Sequence, residues 1–302
     1  QQIVNGLVQG SIYALVALGY TMVYGIMGLI NFAHGEVVMI GTLVTITVAS
    51  LLLKAGIPVA VAGLAGLGSA VLVCMALGWG LERIAYRPLR NAPRLTPLIT
   101  AIGMSIVLQN LAMMIWGRNY LTFPALLPKI NFEVAGAHFT FIQVVIVLVS
   151  AATMGGLLAL IYRTKLGMAM RATAQNPAVA SLMGVNINRV IAAAFVIGSA
   201  LGALAGVMVG TYYEIAHYQM GFMLGLKAFT AAVLGGIGNL AGAMLGGLLL
   251  GLIEALGAGY IGDLTGGFLG SHYQDIFAFI VLIVVLMFKP SGLFGEKTGD
   301  RA

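Results

Sequence analysis

Long apolar segments are the feature that most constrains this chain. Windows of about 20 residues, the length that crosses a hydrocarbon layer as a helix, fit the sequence eight times, and a shorter segment with one lysine runs from about 219 to 236. A chain in lipid must pair its backbone polar groups internally, and the alternating pattern of a β-barrel is absent. The sequence therefore predicts an all-α polytopic membrane protein with eight to nine transmembrane helices, one of them short or re-entrant. The eight full segments lie near 3 to 29, 36 to 53, 58 to 81, 97 to 116, 140 to 162, 190 to 212, 240 to 257 and 273 to 288.

Basic residues predict the orientation of these segments. The chain has a net charge of +6 but only 8% charged residues, whereas soluble domains carry roughly 25%. Most of the basic residues cluster in two loops and the C-terminal tail, and the positive-inside rule places all three in the cytoplasm. Counting back from the first basic loop through three segments predicts an outside N-terminus, and the basic tail predicts a cytoplasmic C-terminus. An even number of segments must then separate the second basic loop from the tail, which requires 219 to 236 to cross the membrane or nearly cross it. Because the charge reflects topology, we expect no nucleic-acid partner. The three clusters are Arg83, Arg87, Arg90 and Arg94, then Arg163, Lys165, Arg171 and Arg189, then Lys289, Lys297 and Arg301.

The second basic loop, residues 163 to 189, is too structured for a simple connector. Asn176 and Pro177 can open a short helix, and Gly184 can close it. The residues from Ala178 to Met183 would then present an apolar face to water. Two interpretations stay open, an interfacial helix resting on lipid headgroups or a knob that docks in a groove of a cytoplasmic partner.

Glycines recur every four residues in two of the apolar segments. This spacing makes a flat stripe on a helix, where a neighbouring helix can approach closely. The stripes predict packing either inside this chain or against a second membrane subunit. They comprise Gly198, Gly202, Gly206 and Gly210, then Gly238, Gly242 and Gly246, with Gly247 and Gly251 one register over.

Three ionisable residues lie at membrane depth in the sequence, Glu36, Lys227 and Glu254. A lone charge there costs about 2.5 to 3.5 kcal/mol on insertion scales. We expect Lys227 either to pair with Glu36 or Glu254, or to reach an interface from a re-entrant half-helix.

The stretch LINFAHGE, residues 29 to 36, predicts a helix junction. The Asn31 side chain is expected to cap a helix that begins near His34, and Glu36 would favour the N-terminal dipole of that helix. The topology places the junction at a cytoplasmic turn or in a broken helix that dips inward from it. In either position its polar groups need not sit at the bilayer centre.

Four segments together resemble one known family. INFAHGE, RATAQNPAVASLMGVNINRV, KAFTAAVLGGIGNLAGAMLGG and FKPSGLFGE, in this order and spacing, resemble the LivH-type permease subunits of branched-chain amino acid ABC importers. The resemblance spans essentially the whole chain. It implies the ABC importer permease fold, with 1 to 302 as a single transmembrane permease domain and 163 to 189 as the cytoplasmic coupling loop within it. It further implies a location in the bacterial cytoplasmic (inner) membrane.

The same resemblance implies the partners. They are a LivM-type permease subunit, two ABC ATPase subunits, a periplasmic amino-acid-binding protein and membrane lipid, and the cargo is leucine, isoleucine, valine or a related amino acid. The sequence has no G-x-x-x-x-G-K-[ST] motif, so nucleotide chemistry must be on a partner. We expect no catalytic residue, metal or cofactor in this chain. By resemblance, coupling to the ATPase falls on Arg171, Asn176, Pro177, Ala180, Ser181, Met183 and Gly184.

Position along the chain suggests two further groups. Residues near helix breaks or ends, and the charges at membrane depth, are candidates for the translocation path: Tyr24, Asn31, Phe32, His34, Glu36, Tyr212, Lys227, Asn239 and Glu254. Residues on the external side are candidates for docking a binding protein: Tyr213, Glu214 and Asp263.

Two other classes of membrane protein compete with the ABC permease. A stand-alone secondary transporter of small amphipathic solutes would show inverted repeats with paired broken helices. The sequence has one clear break at 30 to 36 and a weaker one at 236 to 240, so this alternative stays open. A channel would need a filter of repeated backbone or charge rings, and the sequence contains none.

Overall fold

The structure is a computed structural model of the full chain, and it describes residues 1–90, 92–93, 95–134, 137–264 and 274–295. Helices dominate these ranges. Two pairs of short strands and one mixed helical segment complete the architecture. The helices are α1 Gln2–Met27, α2 His34–Lys54, α3 Val59–Gly80, α4 Leu95–Trp116, α5 Phe141–Arg163, α6 Lys165–Gln175, α7 Pro177–Leu182, α8 Ile187–Tyr213, α9 Met220–Gly235, α10 Leu240–Leu264 and α11 Gln274–Phe288.

Seven helices in the described part of the chain are long and apolar enough to cross a membrane. They are α1 to α5, α8 and α10, and α3 continues through a π-helical turn and a 3₁₀ turn to Leu89. The prediction of an all-α membrane protein is confirmed for these seven. The eighth predicted segment appears as α11, a helix of 15 residues, and the residues 265–273 before it lie outside the described ranges. The segment 219 to 236 is the 16-residue helix α9, about 24 Å long.

The strands were not predicted, because they are short and lie in polar connections. Strand β1 (Leu121–Thr122) pairs antiparallel with β4 (Ile215–Ala216), and β2 (Asn131–Val134) forms a hairpin with β3 (Ala137–Thr140). The β1–β4 pair ties the residues after α4 to those after α8. We call this end of the bundle the strand end, and the opposite end, where α6 and α7 connect α5 to α8, the α7 end.

Helix α1 is the centre of the bundle, and its closest neighbour is α10. A Cβ atom at Gly6 would lie 2.8 Å from the Cα of Leu252, and one at Gly10 would lie 2.8 Å from the Cα of Leu248. Real Cβ atoms do not approach that closely. Glycine therefore permits backbone contact between two helices that are far apart in sequence.

The predicted glycine stripes pack inside this chain, except Gly238, which lies before α10 and has no neighbour within 4 Å of a Cβ position. Helix α8 runs parallel to α2, with Gly202 against His34 and Gly206 against Thr42. On α10, Gly247 and Gly251 face α1, whereas Gly242 and Gly246 face α9. Of the two interpretations left open by the spacing, the structure realises packing within the subunit.

Candidate functional site

The first predicted helix junction separates α1 from α2. Helix α1 ends at Gly28, whose φ of 65° is a left-handed conformation that glycine adopts without strain. The Asn31 side chain does not cap α2, so that prediction is wrong. Its Oδ1 atom instead accepts a hydrogen bond from the hydroxyl of Tyr86 at 2.8 Å, while its backbone carbonyl accepts from the His34 amide at 3.0 Å. Both groups are buried, so the bond fastens the junction to the end of α3.

Glu36 lies in the first turn of α2, as expected, and is fully buried. Its Oε1 atom accepts hydrogen bonds from Ser105 Oγ at 3.0 Å and from Gln109 Nε2 at 2.7 Å. Its Oε2 atom has no hydrogen-bond partner among the described residues and lies beside Gly221, at the start of α9.

The partners of Glu36 fix the depth of the junction. Ser105 is halfway along α4, and α3 runs on past the level of Val37, whose carbonyl accepts from Cys74, to Leu89. The junction therefore lies level with the middle of α4, which fits the predicted broken helix that dips into the bundle. Hydrogen bonds from α4 offset part of the cost of burying this carboxylate, since they satisfy its Oε1 atom.

Aromatic rings surround the junction. The His34 ring packs edge-on against Tyr20 at a centroid distance of 5.0 Å and lies against Gly19 and Gly202. The rings of Phe32 and Phe229 are 5.6 Å apart. Helices α1, α2, α8 and α9 thus meet around one buried histidine.

A second buried polar group joins α9, α10 and α1. The Nζ atom of Lys227 lies 3.2 Å from Glu254 Oε2 and 3.4 Å from the hydroxyl of Tyr13, and that hydroxyl donates to Glu254 Oε2 at 2.7 Å. The Lys227 and Glu254 side chains are 13% and 1% exposed. The predicted pairing of Lys227 is therefore confirmed for Glu254, whereas Glu36 is held by α4.

A cavity of about 260 Å³ adjoins this ion pair. It extends from the residues beside β4 to Lys227 and Tyr13, and its wall is largely apolar. The lining side chains that matter below are Tyr13, Lys227, Tyr213, His217, Met223 and Leu224.

Buried charges inside an apolar helical bundle are typical of proteins that move solutes across membranes, and comparison with known proteins identifies the class. Residues 2–286 match the family model described as branched-chain amino acid transport system, permease component. The chain belongs to this permease family.

The permease has full-length curated relatives. It is 48% identical to the high-affinity branched-chain amino acid transport system permease protein BraD of Pseudomonas aeruginosa, over 100% of this chain and 97% of the relative. It is 46% identical to the high-affinity branched-chain amino acid transport system permease protein LivH of Escherichia coli, over 100% of this chain and 97% of the relative. Among solved structures it is similar to PsaBC from Streptococcus pneumoniae in complex with Fab, with a TM-score of 0.45, 14% identity and coverage of 96% and 91%.

The predicted coupling segment of the permease forms two helices, of which only the second was expected. Asn176 accepts a hydrogen bond from the Val179 amide at 3.1 Å, Pro177 occupies the first position of α7, and Gly184 ends it with a φ of 83°. This start and end confirm the prediction. Arg171 donates to the Ile161 carbonyl and stacks on Tyr162, which fixes α6 to α5.

Helix α7 presents an apolar face within the predicted stretch, but without Ala180. Ala180 is only 4% exposed and packs inward, so its expected place on the presented face is wrong. Met183 and Leu182, both within the predicted apolar stretch, are 81% and 86% exposed. Ser181 donates to the Ala178 carbonyl at 2.8 Å. The presented face is therefore made by Val179, Leu182 and Met183.

Other predicted path residues lie apart from the two buried polar groups. Tyr24 lines a narrow cleft with Tyr20 and Phe229, and Tyr212 packs edge-on against Tyr213. Asn239 accepts a hydrogen bond from the Gly242 amide and donates to the Phe294 carbonyl, both at 3.0 Å. It therefore caps α10 and fastens the chain after α11.

The predicted docking residues are scattered at the strand end. Glu214 forms an exposed ion pair of 2.5 Å with Lys129 and ends α8 in a left-handed conformation, with a φ of 58°. Tyr213 lines the cavity. The side chain of Asp263 lies outside the described residues.

Sequence reasoning missed four residues that hold the buried charges and the junction. A signal was present for two of them, because Ser105 and Gln109 are polar residues spaced i, i+4 in an apolar helix and so share one face. Tyr13 and Tyr86 gave no such signal, since tyrosine is common in membrane segments. Their roles depend on contacts with residues far away in sequence.

Proposed function

We propose that the chain is the membrane-spanning permease subunit of an ATP-driven importer in the bacterial inner membrane, with 1 to 302 forming one permease domain. With a LivM-type permease it forms the path for branched-chain or related amino acids that a periplasmic binding protein delivers. Two ABC ATPase subunits supply the energy. Full-length identity of 46% and 48% to permeases named for high-affinity branched-chain amino acid transport supports this cargo class.

The exposed face of α7 is the observation that carries the coupling role. A short helix with asparagine, proline and glycine at its ends presents Leu182 and Met183 almost fully to the outside. Apolar side chains so exposed on a fixed element are typical of a surface that meets a protein or a membrane. Within the loop 163 to 189, Arg171, Asn176, Pro177 and Gly184 hold the helix in place, Ala180 anchors it, and Ser181 lies on its outer side. We infer that this face docks in a groove of the ATPase.

The charge distribution supports the proposed orientation. The α7 end carries Arg87, Arg90, Arg163 and Arg189, whereas the strand end has Lys54, Arg118 and Lys129, the last of them paired with Glu214. By the positive-inside rule the α7 end is cytoplasmic. The strand end then faces the binding protein, and Tyr213, Glu214 and Asp263 belong to the surface that meets it.

We infer that the path runs beside the two buried polar groups. Asn31, Phe32, His34 and Glu36 form a helix break halfway through the bundle, and Lys227 and Glu254 lie below the cavity. Tyr24, Tyr212 and Asn239 flank these groups. Helix breaks at membrane depth are tolerated where they are buried in protein or border a water-filled cavity.

Reconstitution tests the assignment. The chain, its partner permease and both ATPase subunits are co-expressed, purified and placed in proteoliposomes with the binding protein. We expect leucine uptake that requires ATP inside the vesicles and disappears when the ATPase subunits are omitted. Uptake by this chain alone, without ATP, would refute the proposal in favour of a secondary transporter.

A further inference from the structure

We propose that the cavity above Lys227 is a binding site for the transported amino acid inside the permease, with its carboxylate on Lys227 and its side chain on the methionine and leucine wall. This proposal rests on the proposed function, because it takes the cargo to be a branched-chain amino acid. The cavity has three properties that fit such a ligand.

The first property is the placement of charge. Lys227 lines the cavity, whereas its partner Glu254 is 1% exposed and is not among the lining residues. The ammonium group therefore faces the cavity with its counterion behind it. The ammonium group already lies 3.2 Å from Glu254 Oε2 and 3.4 Å from the Tyr13 hydroxyl, so a ligand carboxylate would share its positive charge with these two groups.

The second property is that two groups, Tyr13 and Glu254, hold the lysine in place. The hydroxyl of Tyr13 bonds Glu254 at 2.7 Å, and its ring lies 5.7 Å from the Lys227 Nζ atom. Both groups that hold the lysine belong to α1 and α10, which contact each other through glycines. The charge is thus fixed on the most closely packed helix pair of the bundle, as a specific site requires.

The third property is the chemistry of the wall. Met223 and Leu224 provide flexible and branched apolar contacts, and Tyr213 and His217 add rings to the lining. Methionine adapts to apolar ligands of different shapes, and aromatic faces attract an ammonium group. A volume of about 260 Å³ is near the lower end of ligand pockets, roughly 300 to 1,000 Å³. The cavity therefore suits one small amphipathic zwitterion.

Cysteine protection tests the site directly. The native Cys74 is buried and is replaced by alanine, and Met223→Cys then reports on the cavity wall. The reconstituted complex is labelled with a charged methanethiosulfonate reagent in the presence of leucine, leucinamide or glycine. Ile130→Cys, exposed near the hairpin and outside the cavity lining, is the matched control.

We expect leucine to slow labelling at Met223→Cys but not at Ile130→Cys. Leucinamide lacks the carboxylate and glycine lacks the side chain, so each should protect at concentrations at least about tenfold higher. In the double variant Lys227→Met/Glu254→Gln, which removes both charges, we expect leucine to lose its protection by a similar factor. Lys227→Arg keeps the cation and should retain protection.

Two results would overturn the site. One is equal protection by leucine and leucinamide, and the other is unchanged protection in the double variant. ATP-driven uptake is measured in the same vesicles, which separates the two proposals. Uptake without protection at Met223→Cys refutes the site and leaves the importer assignment standing, whereas absent uptake by the unsubstituted complex refutes the assignment itself.

Discussion

The Nζ atom of Lys227 on α9 lies 3.2 Å from the carboxylate of Glu254 on α10, and both side chains are almost completely buried. Neither residue is near the other in sequence, and the surrounding helices are apolar. The pair is therefore an interaction that two helices can make only when they are assembled in this register.

Removing one member of this pair should destabilise the protein strongly. Lys227→Met leaves the Glu254 carboxylate buried without its cation, and the expected loss is about 3 to 5 kcal/mol. The double variant Lys227→Met/Glu254→Met replaces both charges by apolar groups and should recover most of the stability. Thermal unfolding of the purified protein in detergent measures the difference. A double variant less stable than the single variant would show that the charges stabilise the bundle in another way.

Added bulk at the α1–α10 contact should also destabilise. In Gly10→Ala the new methyl group would meet the Leu248 backbone at 2.8 Å, so the helices must separate, at a cost of about 1 to 3 kcal/mol. Gly156→Ala is the matched control, because its Cβ atom meets nothing within 4 Å. There alanine should stabilise α5 by up to about 1 kcal/mol. Equal melting temperatures for the two variants would argue against the close contact.

The Asn31–Tyr86 hydrogen bond can be removed by deleting one oxygen atom, the hydroxyl of Tyr86. Tyr86→Phe leaves the side-chain Oδ1 atom of Asn31 buried without its donor, which should cost about 1 to 3 kcal/mol. Tyr162→Phe, at a ring that is 62% exposed, should change little. If the junction borders the path, Tyr86→Phe will also change the rate of leucine uptake at equal protein amounts. An unchanged melting temperature and rate would show that the bond is dispensable.

A charge on the exposed face of α7 should uncouple transport from ATP hydrolysis. Leu182→Asp and Met183→Asp place a carboxylate on side chains that are 86% and 81% exposed, so the fold should tolerate them. We expect ATP-driven uptake to fall at least about tenfold, because a buried charge at an interface is costly. Ala174→Asp adds the same charge to an exposed position of α6 and is the control. Normal uptake by both α7 variants would point to an idle helix.

The sequence predicts the helices well because a span in lipid has one strong requirement, a long apolar run. It also predicts the ends of α7, since asparagine, proline and glycine act locally. The partner of Lys227 could only be narrowed to two carboxylates. Choosing Glu254 requires the relative depth of α2, α9 and α10, which hydropathy does not supply.

Contacts over long sequence distances account for the errors. Asn31 reads as a helix cap because that function is local, but Tyr86 competes for the same oxygen atom from another helix. Ala180 reads as part of an exposed face because α7 is only six residues long, too short for its periodicity to say which side packs inward. The strands were missed because two to four residues in polar loops leave no pattern of their own.

The pairing of α1 with α10 sets an order for biosynthesis. Helix α1 is synthesised first. Its glycines Gly6 and Gly10 contact the backbone of Leu252 and Leu248 on α10, which is the last but one of the described helices to be synthesised. At about 5 to 20 residues per second the interval is roughly 10 to 50 s. During that time the face of α1 that packs against α10 in the finished protein must lie beside lipid or a membrane chaperone. Truncated chains that end before α10 should therefore leave α1 exposed to quality-control proteases, however well their other helices have formed.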